Sequence, residues 1–376
     1  MKEKNSIYLH IGTAKTGSSA LQAVLAENEK LLEKHGFVYP KGDAVFFNFF
    51  NREGIDVWDE DTALKNVNCA RPLDVFSDIY SKLENKRYND FTFLTMKEAD
   101  EIFRPDVLAG SEGWNEFIKE TDRLLEENNV IYSNEVLSHM PTIIKRLHER
   151  YEGRLKIIIY LRRQDRFTES VWAELIVSNL INIPFEDFLM MVSYTEGMAE
   201  MSDYGAILDY IASVVGKENL YARAYKKKNP DGKKFNIVDD FFEVLGIEEK
   251  PQASKSWINA HISGNAIEYL RVYNATINAL NLRNRVTKAR HKRLMGYLRN
   301  IMKKGGKDLY FKPGMRRAFM RKFEEGNLYV SKNYLGGELL DSEGVSMESA
   351  PTIRKLTEQE IETVRFITAL IMSGED

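Results

Sequence analysis

The chain has 376 residues, 43% of them hydrophobic and 29% charged, so it is long enough to bury a large core as a globular protein. Its net charge is −3, its single cysteine (Cys69) excludes an intrachain disulfide, and no apolar run approaches the roughly 20 residues that a membrane-spanning helix needs. We therefore expect a cytoplasmic protein without a transmembrane segment, built as a single domain over residues 1–376.

The first predicted element is a strand, Ile7–Ile11, that runs into a glycine-containing loop and then a helix with apolar residues at Leu21, Val24 and Leu25. A loop in this place directs backbone N–H groups and the positive end of a helix dipole towards one point. This arrangement suits a phosphate or sulfate. The alternative is a turn that only caps the helix.

The glycine spacing of this loop is that of a phosphate-binding motif. Gly12 and Gly17 match the frame G-x-x-x-x-G-K-[ST], but Ser18 stands where the lysine belongs, and Lys15 lies inside the loop instead. A nucleoside triphosphatase needs that lysine on the β- and γ-phosphates. The departure therefore argues against ATP hydrolysis.

The next part of the chain, residues 41–110, shows weak periodicity, with helices predicted only around residues 73–83 and 97–103. We interpret residues 41–110 as an insertion outside the central sheet. A helix near residues 115–127 then leads into a short buried strand at residues 129–133, and Pro141 begins another helix.

Strands and helices alternate in the middle of the chain. The predicted strands are residues 155–161 and 220–225, and the predicted helices are residues 164–177, 204–215 and 237–245. This alternation predicts an α/β fold of three layers, α/β/α, around a central parallel sheet, with ligands at the carboxyl ends of the strands.

The C-terminal part of the chain, residues 259–376, is predicted to be largely helical. The helices are expected at residues 264–280, 286–302, 313–325 and 357–372, with a break at 303–307. We interpret this part as a helical elaboration of the same domain.

A second anion-binding candidate lies at the end of the strand 155–161. Arg162 follows the strand directly and Ser170 lies eight residues later, about two turns along the next helix. An arginine fork and a serine hydroxyl placed in this way can converge on one phosphate. On its own the spacing is a weak signal, and an exposed arginine with an ordinary helical serine is the alternative.

Together, these two segments resemble the motifs of sulfotransferases that use 3′-phosphoadenylyl sulfate (PAPS). The loop Lys15-Thr16-Gly17-Ser18-Ser19 is similar to their 5′-phosphosulfate loop, and YLRRQDRFTES is similar to their 3′-phosphate motif. The chain also resembles a bacterial sulfotransferase-like family in the segments YGAILDYIASVVGKENLYARAY and FKPGMRRAFMRKFEEGNLYVSKNYLGG. The resemblance covers most of the chain except about 41–125 and the C-terminal tail.

The resemblance implies a P-loop NTPase-like sulfotransferase fold and transfer of a sulfuryl group from PAPS to a hydroxyl or amine of a glycan or small molecule. The nucleotide would leave as 3′,5′-bisphosphoadenosine (PAP), and no metal would be needed. The residues implied to bind the nucleotide are Lys15, Thr16, Gly17, Ser18, Ser19, Arg162 and Ser170. Ala20 stands where cytosolic members often place an adenine-stacking tryptophan, so the resemblance leaves adenine recognition unassigned.

Lys15 is also a candidate catalytic residue, because it would stabilise the charge that develops on the leaving nucleotide. Glu135 follows a strand and matches the acidic general base of sulfotransferases that act on heparan-type sugars, although a solvated loop carboxylate is the alternative. His139 is a second candidate base, for which an ordinary surface histidine is the favoured interpretation. His10 is interpreted as a packed, hydrogen-bonded residue and Tyr225 as a core aromatic.

Positive charge is concentrated between Arg283 and Lys322, which hold fifteen Lys/Arg residues and one acid, Asp308. This stretch predicts a solvated helical face or a surface for an anionic acceptor. Zinc-finger spacing and an aromatic-rich RNA-binding signature are absent from the sequence, so we expect no nucleic-acid partner. A P-loop kinase and a non-catalytic module that binds sulfated or phosphorylated glycans remain as alternative functions.

Overall fold

A computed structural model describes residues 4–13, 16–40, 97, 106, 112–134, 137–138, 141–177, 181–194, 196–226, 234–252, 265–280, 309–340 and 345–373. The helices predicted at residues 73–83 and 286–302 and the break at 303–307 lie outside these residues, as does the helix at 97–103 except for Lys97, which is helical.

The centre of the fold is a five-stranded sheet in the order β2-β3-β1-β4-β5. The strands are β1 (Ile7–His10), β2 (Phe37–Val38), β3 (Asn129–Ser133), β4 (Leu155–Leu161) and β5 (Leu220–Ala224). All neighbouring strands are parallel. The predicted α/β class with a parallel sheet is thus confirmed, and β1 lies in the middle of the sheet with its carboxyl end between those of β3 and β4.

The helices of the described residues are α1 (Ser18–Glu27), α2 (Glu29–Lys34), α3 (Glu112–Leu124), α4 (Pro141–Arg150), α5 (Gln164–Val177), α6 (Phe185–Tyr194), α7 (Glu196–Ser202), α8 (Tyr204–Val215), α9 (Ile237–Val244), α10 (Ala266–Ala279), α11 (Pro313–Arg321), α12 (Glu324–Tyr334) and α13 (Glu358–Ser373). None of them is long and apolar enough to cross a membrane.

Both faces of the sheet are covered by helices, and the strands are apolar on both faces for that reason. Ile7 and Leu9 of β1 pack in one core with residues of α3, α4 and α8. Tyr8, between them in sequence, points to the opposite face and packs with residues of α1 and α9. The most apolar strand, β4, is central and only Lys156 within it is partly exposed, as its composition predicts.

A third core lies beside the sheet and is built from helices alone. Trp172 and other buried residues of α5 pack against α6, α10, α11 and α13. Because α5 begins three residues after β4 ends, this helical core is attached directly to the carboxyl edge of the sheet. The C-terminal helices of the described residues therefore support that edge.

Some helices differ from the prediction. The helix expected at 313–325 is two helices, because α11 ends at Arg321 and α12 begins at Glu324. The turn between them lets Phe319 of α11 pack in the helical core while Val330 of α12 packs in the core over the sheet. Helices α2, α6 and α7 were not predicted. Helices α2 and α7 have only six and seven residues, which are too few to show a clear period.

Candidate functional site

The loop after β1 is held to the end of β4 by hydrogen bonds. The backbone N–H of Thr13 donates to the Tyr160 carbonyl at 3.0 Å, and the Thr13 hydroxyl donates to the same oxygen at 2.9 Å. The Thr16 hydroxyl donates to the Thr13 carbonyl at 2.7 Å, so the Thr16 side chain closes the loop. Lys15 lies outside the described residues.

The N-terminus of α1 follows at Gly17, whose φ of 94° is in the left-handed region that favours glycine. A Cβ at this position would also lie 3.3 Å from Cγ2 of Ile237. Gly17 provides no side-chain cap, and the first turn of α1 contains no acidic residue. The start of this helix, with the positive end of the helix dipole, therefore suits an anion.

The two serines after Gly17 occupy different environments. Ser18 is buried, and its Oγ has no hydrogen-bond partner among the described residues, whereas Ser19 is exposed. A buried hydroxyl without a partner is unusual and calls for a ligand or an ordered water. Ser18 is thus placed to donate a hydrogen bond inside the loop.

The second predicted pair comes together as expected. Nη1 of Arg162 donates to Oγ of Ser170 at 3.0 Å, and Arg162 as a whole is only 8% exposed. The hydroxyl of Tyr204 donates to the Arg162 carbonyl at 2.6 Å, which fixes the backbone at the end of β4. Since Ser170 accepts from Arg162, its own proton is free to be donated to a further group.

Tyr225 lies between these two predicted sites. The Arg162 guanidinium carbon is 5.7 Å from the centre of the Tyr225 ring, a cation–π contact. Cε2 of the same ring lies 3.8 Å from the place of a Cβ on Gly17. The sequence predicted Tyr225 to be a core aromatic, and its ring is partly buried against one of the cores. Its contact with Arg162 was not predicted. The signal was its position directly after β5, the strand that pairs with β4.

Behind the loop lies His10, the last residue of β1. It is fully buried, its Nδ1 lies 2.8 Å from Oγ of Ser133, and its ring meets those of Tyr160 and Phe241 edge to face. The prediction of a packed, hydrogen-bonded histidine is confirmed. Burial lowers the pKa of His10 to about 3, so the imidazole is neutral at physiological pH.

The lowered pKa of His10 makes stability depend on pH. In the unfolded chain the imidazole takes up a proton below about pH 6.5, but in the folded chain it stays neutral until about pH 3. Acidification therefore favours the unfolded state, and between pH 7 and pH 5 the loss from this one group is about 2 kcal/mol. Urea unfolding at both pH values should show that the wild type loses about this much more stability than His10→Gln. An equal loss in both proteins would show that His10 is not held neutral.

A cluster of buried charges lies at the start of α5 and was not predicted. Arg316 of α11 is fully buried and pairs with Asp165 and with Glu169, the latter at 3.1 Å. Asp165 also accepts two hydrogen bonds at 2.7 Å from Arg163, and Glu169 also pairs with Arg166. Burial raises the pKa of Asp165, but Arg163 and Arg316 more than offset that effect, and the net pKa is lowered.

This charge cluster corrects part of the prediction for the basic stretch. Arg316, which was expected on a solvated or ligand-binding face, is buried, and its neighbour Arg317 pairs with Glu348 at the surface. The segment 283–308 lies outside the described residues. Its predicted role in guiding an anionic acceptor stays a prediction.

Both candidate bases, Glu135 and His139, lie outside the described residues. The preceding residue, Asn134, is buried, and its N–H donates to the His10 carbonyl at 2.9 Å. Asn134 thus lies at the edge where β1 and β3 end. The roles of Lys15, Glu135 and His139 stay predictions.

Comparisons with known proteins identify no family for this chain. No protein-family model matches it, and no curated protein matches it. Among solved structures, it is similar to the sulfotransferase from Alicyclobacillus acidocaldarius, with 16% identity over 75% of this chain and 94% of that chain and a TM-score of 0.35. A superposition this loose identifies neither family nor reaction, so the functional argument depends on the geometry of the site.

The donors of the site form two groups near the carboxyl ends of the strands. At one end are the N-terminus of α1 and the unpartnered hydroxyl of Ser18, and at the other are Arg162 and Ser170. Tyr225 contacts both ends of this arrangement. An anion at each end would receive hydrogen bonds from groups that the sheet and α5 already hold in place.

Proposed function

We propose that this protein is a sulfotransferase that moves the sulfuryl group of PAPS to a hydroxyl or amine of a glycan or small molecule. The observation that carries the proposal is the contact between Arg162 and Ser170 beside a helix-capping loop that has the motif of a phosphosulfate site. A single phosphate loop would suit many nucleotides. A second, separate phosphate site on the same edge of the sheet favours a 3′-phosphorylated one.

Each residue then has a defined part in binding. Arg162 and Ser170 hold the 3′-phosphate, and Tyr225 supports the arginine by the cation–π contact. The loop around Gly17 and the first turn of α1 bind the 5′ end of the nucleotide. The bound nucleotide supplies an activated sulfuryl group in line with the acceptor.

The chemical step requires stabilisation of the leaving group and removal of the acceptor proton. We assign the first task to Lys15 together with the N–H groups of the loop, because negative charge grows on the bridging oxygen. The second task is assigned to Glu135, with His139 as the alternative base. The donors are positioned before the reaction begins, which lowers the barrier without reorganisation of the site.

Two other functions remain distinguishable from this one. A P-loop kinase needs a lysine at the end of the loop as well as Mg²⁺. In this chain Ser18 stands at the sequence position of that lysine. A non-catalytic module for sulfated or phosphorylated glycans would use Arg162 and Ser170 but would transfer nothing.

Calorimetry with two nucleotides tests the proposal. PAP should bind more tightly than 5′-AMP by about 1–3 kcal/mol, since only PAP offers a 3′-phosphate to the guanidinium of Arg162 and the hydroxyl of Ser170. Equal affinities, or a preference for ATP with Mg²⁺, would remove the sulfotransferase proposal. Transfer of radiolabel from PAPS to pooled glycans and phenols would separate the enzyme from the binding module.

A further inference from the structure

Two buried polar atoms beneath the loop have no hydrogen-bond partner among the described residues: Nε2 of His10 and Oγ of Ser18. Both are next to Gly12. A Cβ on Gly12 would lie 3.0 Å from the histidine nitrogen and 3.3 Å from the serine oxygen. Because Gly12 has no side chain, a space remains beside it, and both polar atoms border that space.

The hydrogen bonds behind His10 determine which of its nitrogens carries the proton. Nε2 of Gln22 lies 3.1 Å from the Ser133 carbonyl oxygen, and only the NH₂ group of the amide can face that oxygen favourably. The same NH₂ lies 3.2 Å from Oγ of Ser133, so the hydroxyl accepts from Gln22. We assign the hydroxyl proton of Ser133 to the 2.8 Å hydrogen bond with Nδ1 of His10, since the hydroxyl then both accepts from Gln22 and donates.

A neutral imidazole whose Nδ1 accepts a hydrogen bond carries its proton on Nε2. His10 therefore presents an N–H donor to the underside of the loop. Edge contacts with Tyr160 and Phe241, at 5.7 and 5.8 Å between ring centres, hold the ring in this orientation. A buried donor that is oriented so firmly and left unpaired is poised for a ligand.

We propose that the Nε2–H of His10 is a hydrogen-bond donor to the anionic 5′ end of the bound nucleotide, beside the hydroxyl of Ser18 in the loop motif. This inference rests on the proposed function, since it names one further contact for the same nucleotide. Ser18 stands at the sequence position at which ATP-hydrolysing loops carry lysine. The neutral imidazole of His10 adds a directional hydrogen bond to the site without adding charge.

The contribution of His10 can be measured by comparing the affinities of two nucleotides. PAP carries a 5′-phosphate for His10 to contact, whereas adenosine 3′-phosphate carries only the phosphate assigned to Arg162 and Ser170. His10→Phe keeps a ring of similar shape but removes the donor, so PAP affinity should fall by roughly 10- to 100-fold, as for hydrogen bonds to charged groups. Affinity for adenosine 3′-phosphate should be unchanged.

Conservative variants serve as controls for this experiment. His10→Gln returns an amide N–H near the position of Nε2 and should recover most of the lost PAP affinity. Ser133→Ala removes the hydroxyl that fixes the histidine tautomer, and it should cause a smaller loss for PAP and none for adenosine 3′-phosphate.

Nuclear magnetic resonance of ¹⁵N-histidine-labelled wild-type protein gives a readout that does not depend on a variant that folds. Nε2 of His10 should be the protonated nitrogen, and its proton resonance should shift when PAP is added but not when adenosine 3′-phosphate is added. A proton on Nδ1, or an equal loss of both nucleotides in His10→Phe, would overturn the inference and leave the proposed function intact. Failure of the wild type to prefer PAP over 5′-AMP would instead overturn the proposed function.

Discussion

Arg316→Met is expected to lower the free energy of unfolding by about 3–5 kcal/mol, because it removes charged hydrogen bonds to two buried carboxylates. Arg316 is fully buried between Asp165 and Glu169, which would keep only Arg163 and Arg166 as cationic partners among the described residues. Methionine fills much of the arginine stem but offers no hydrogen bond to either carboxylate. The loss should appear in urea unfolding as a lower midpoint with an unchanged slope.

The neighbouring residue provides a matched control for this prediction. Arg317 lies on the same helix and pairs with Glu348, but its side chain is 51% exposed. Arg317→Met should therefore change stability by less than about 1 kcal/mol. Adding Asp165→Asn and Glu169→Gln to Arg316→Met should lower the stability further, because Arg163 and Arg166 then lose their buried carboxylate partners. Similar small effects of both arginine variants would contradict a structural role for the cluster.

Arg316 and its carboxylate partners also support the proposed 3′-phosphate site. Its partner Asp165 lies three residues after Arg162, and Glu169 directly precedes Ser170. Glu169 further accepts hydrogen bonds from the backbone N–H groups of Tyr310 and Phe311, at 2.8 and 3.1 Å. The C-terminal helical part thus holds the first two turns of α5 in place, and with them the proposed 3′-phosphate site.

Local patterns were sufficient to predict most of the sheet. The strands β3 and β4 were predicted with the bounds that the structure has, since an apolar run ends at a polar or charged residue in both cases. The alternation of strands and helices predicted the parallel pairing. The order of the strands could not be read in this way, because it depends on where each crossover connection places the next strand.

In the site, the sequence predicted only the contacts between residues that lie close together in the chain. Arg162 directly follows β4 and Ser170 lies on α5, the next element, so a segment of about eight residues determines their contact. Tyr225 meets Arg162 only through the pairing of β5 with β4, and Arg316 reaches α5 from about 150 residues away in the chain. The tautomer of His10 depends on Ser133, which the sheet alone brings near. Such contacts leave no periodic signal in the sequence.

We expect Arg162 to be the main source of selectivity for a 3′-phosphate. Arg162→Met should weaken PAP binding by about 2–4 kcal/mol, which is roughly 30- to 1,000-fold, because a buried guanidinium contributes charge as well as hydrogen bonds. Binding of 5′-AMP, which has no 3′-phosphate, should barely change. Calorimetry of both nucleotides on the variant measures the difference directly.

Two further variants separate the contributions of charge, geometry and the serine. Arg162→Lys keeps a positive charge but loses the planar fork and weakens the stack on Tyr225, so it should recover only part of the PAP affinity. Ser170→Ala removes a single neutral donor, and the expected loss is about 0.5–1.5 kcal/mol. If Arg162→Met weakened PAP and 5′-AMP equally while its thermal unfolding stayed that of the wild type, Arg162 would act on the nucleotide without reading the 3′-phosphate, and the 3′ site would have to lie elsewhere on the edge of the sheet.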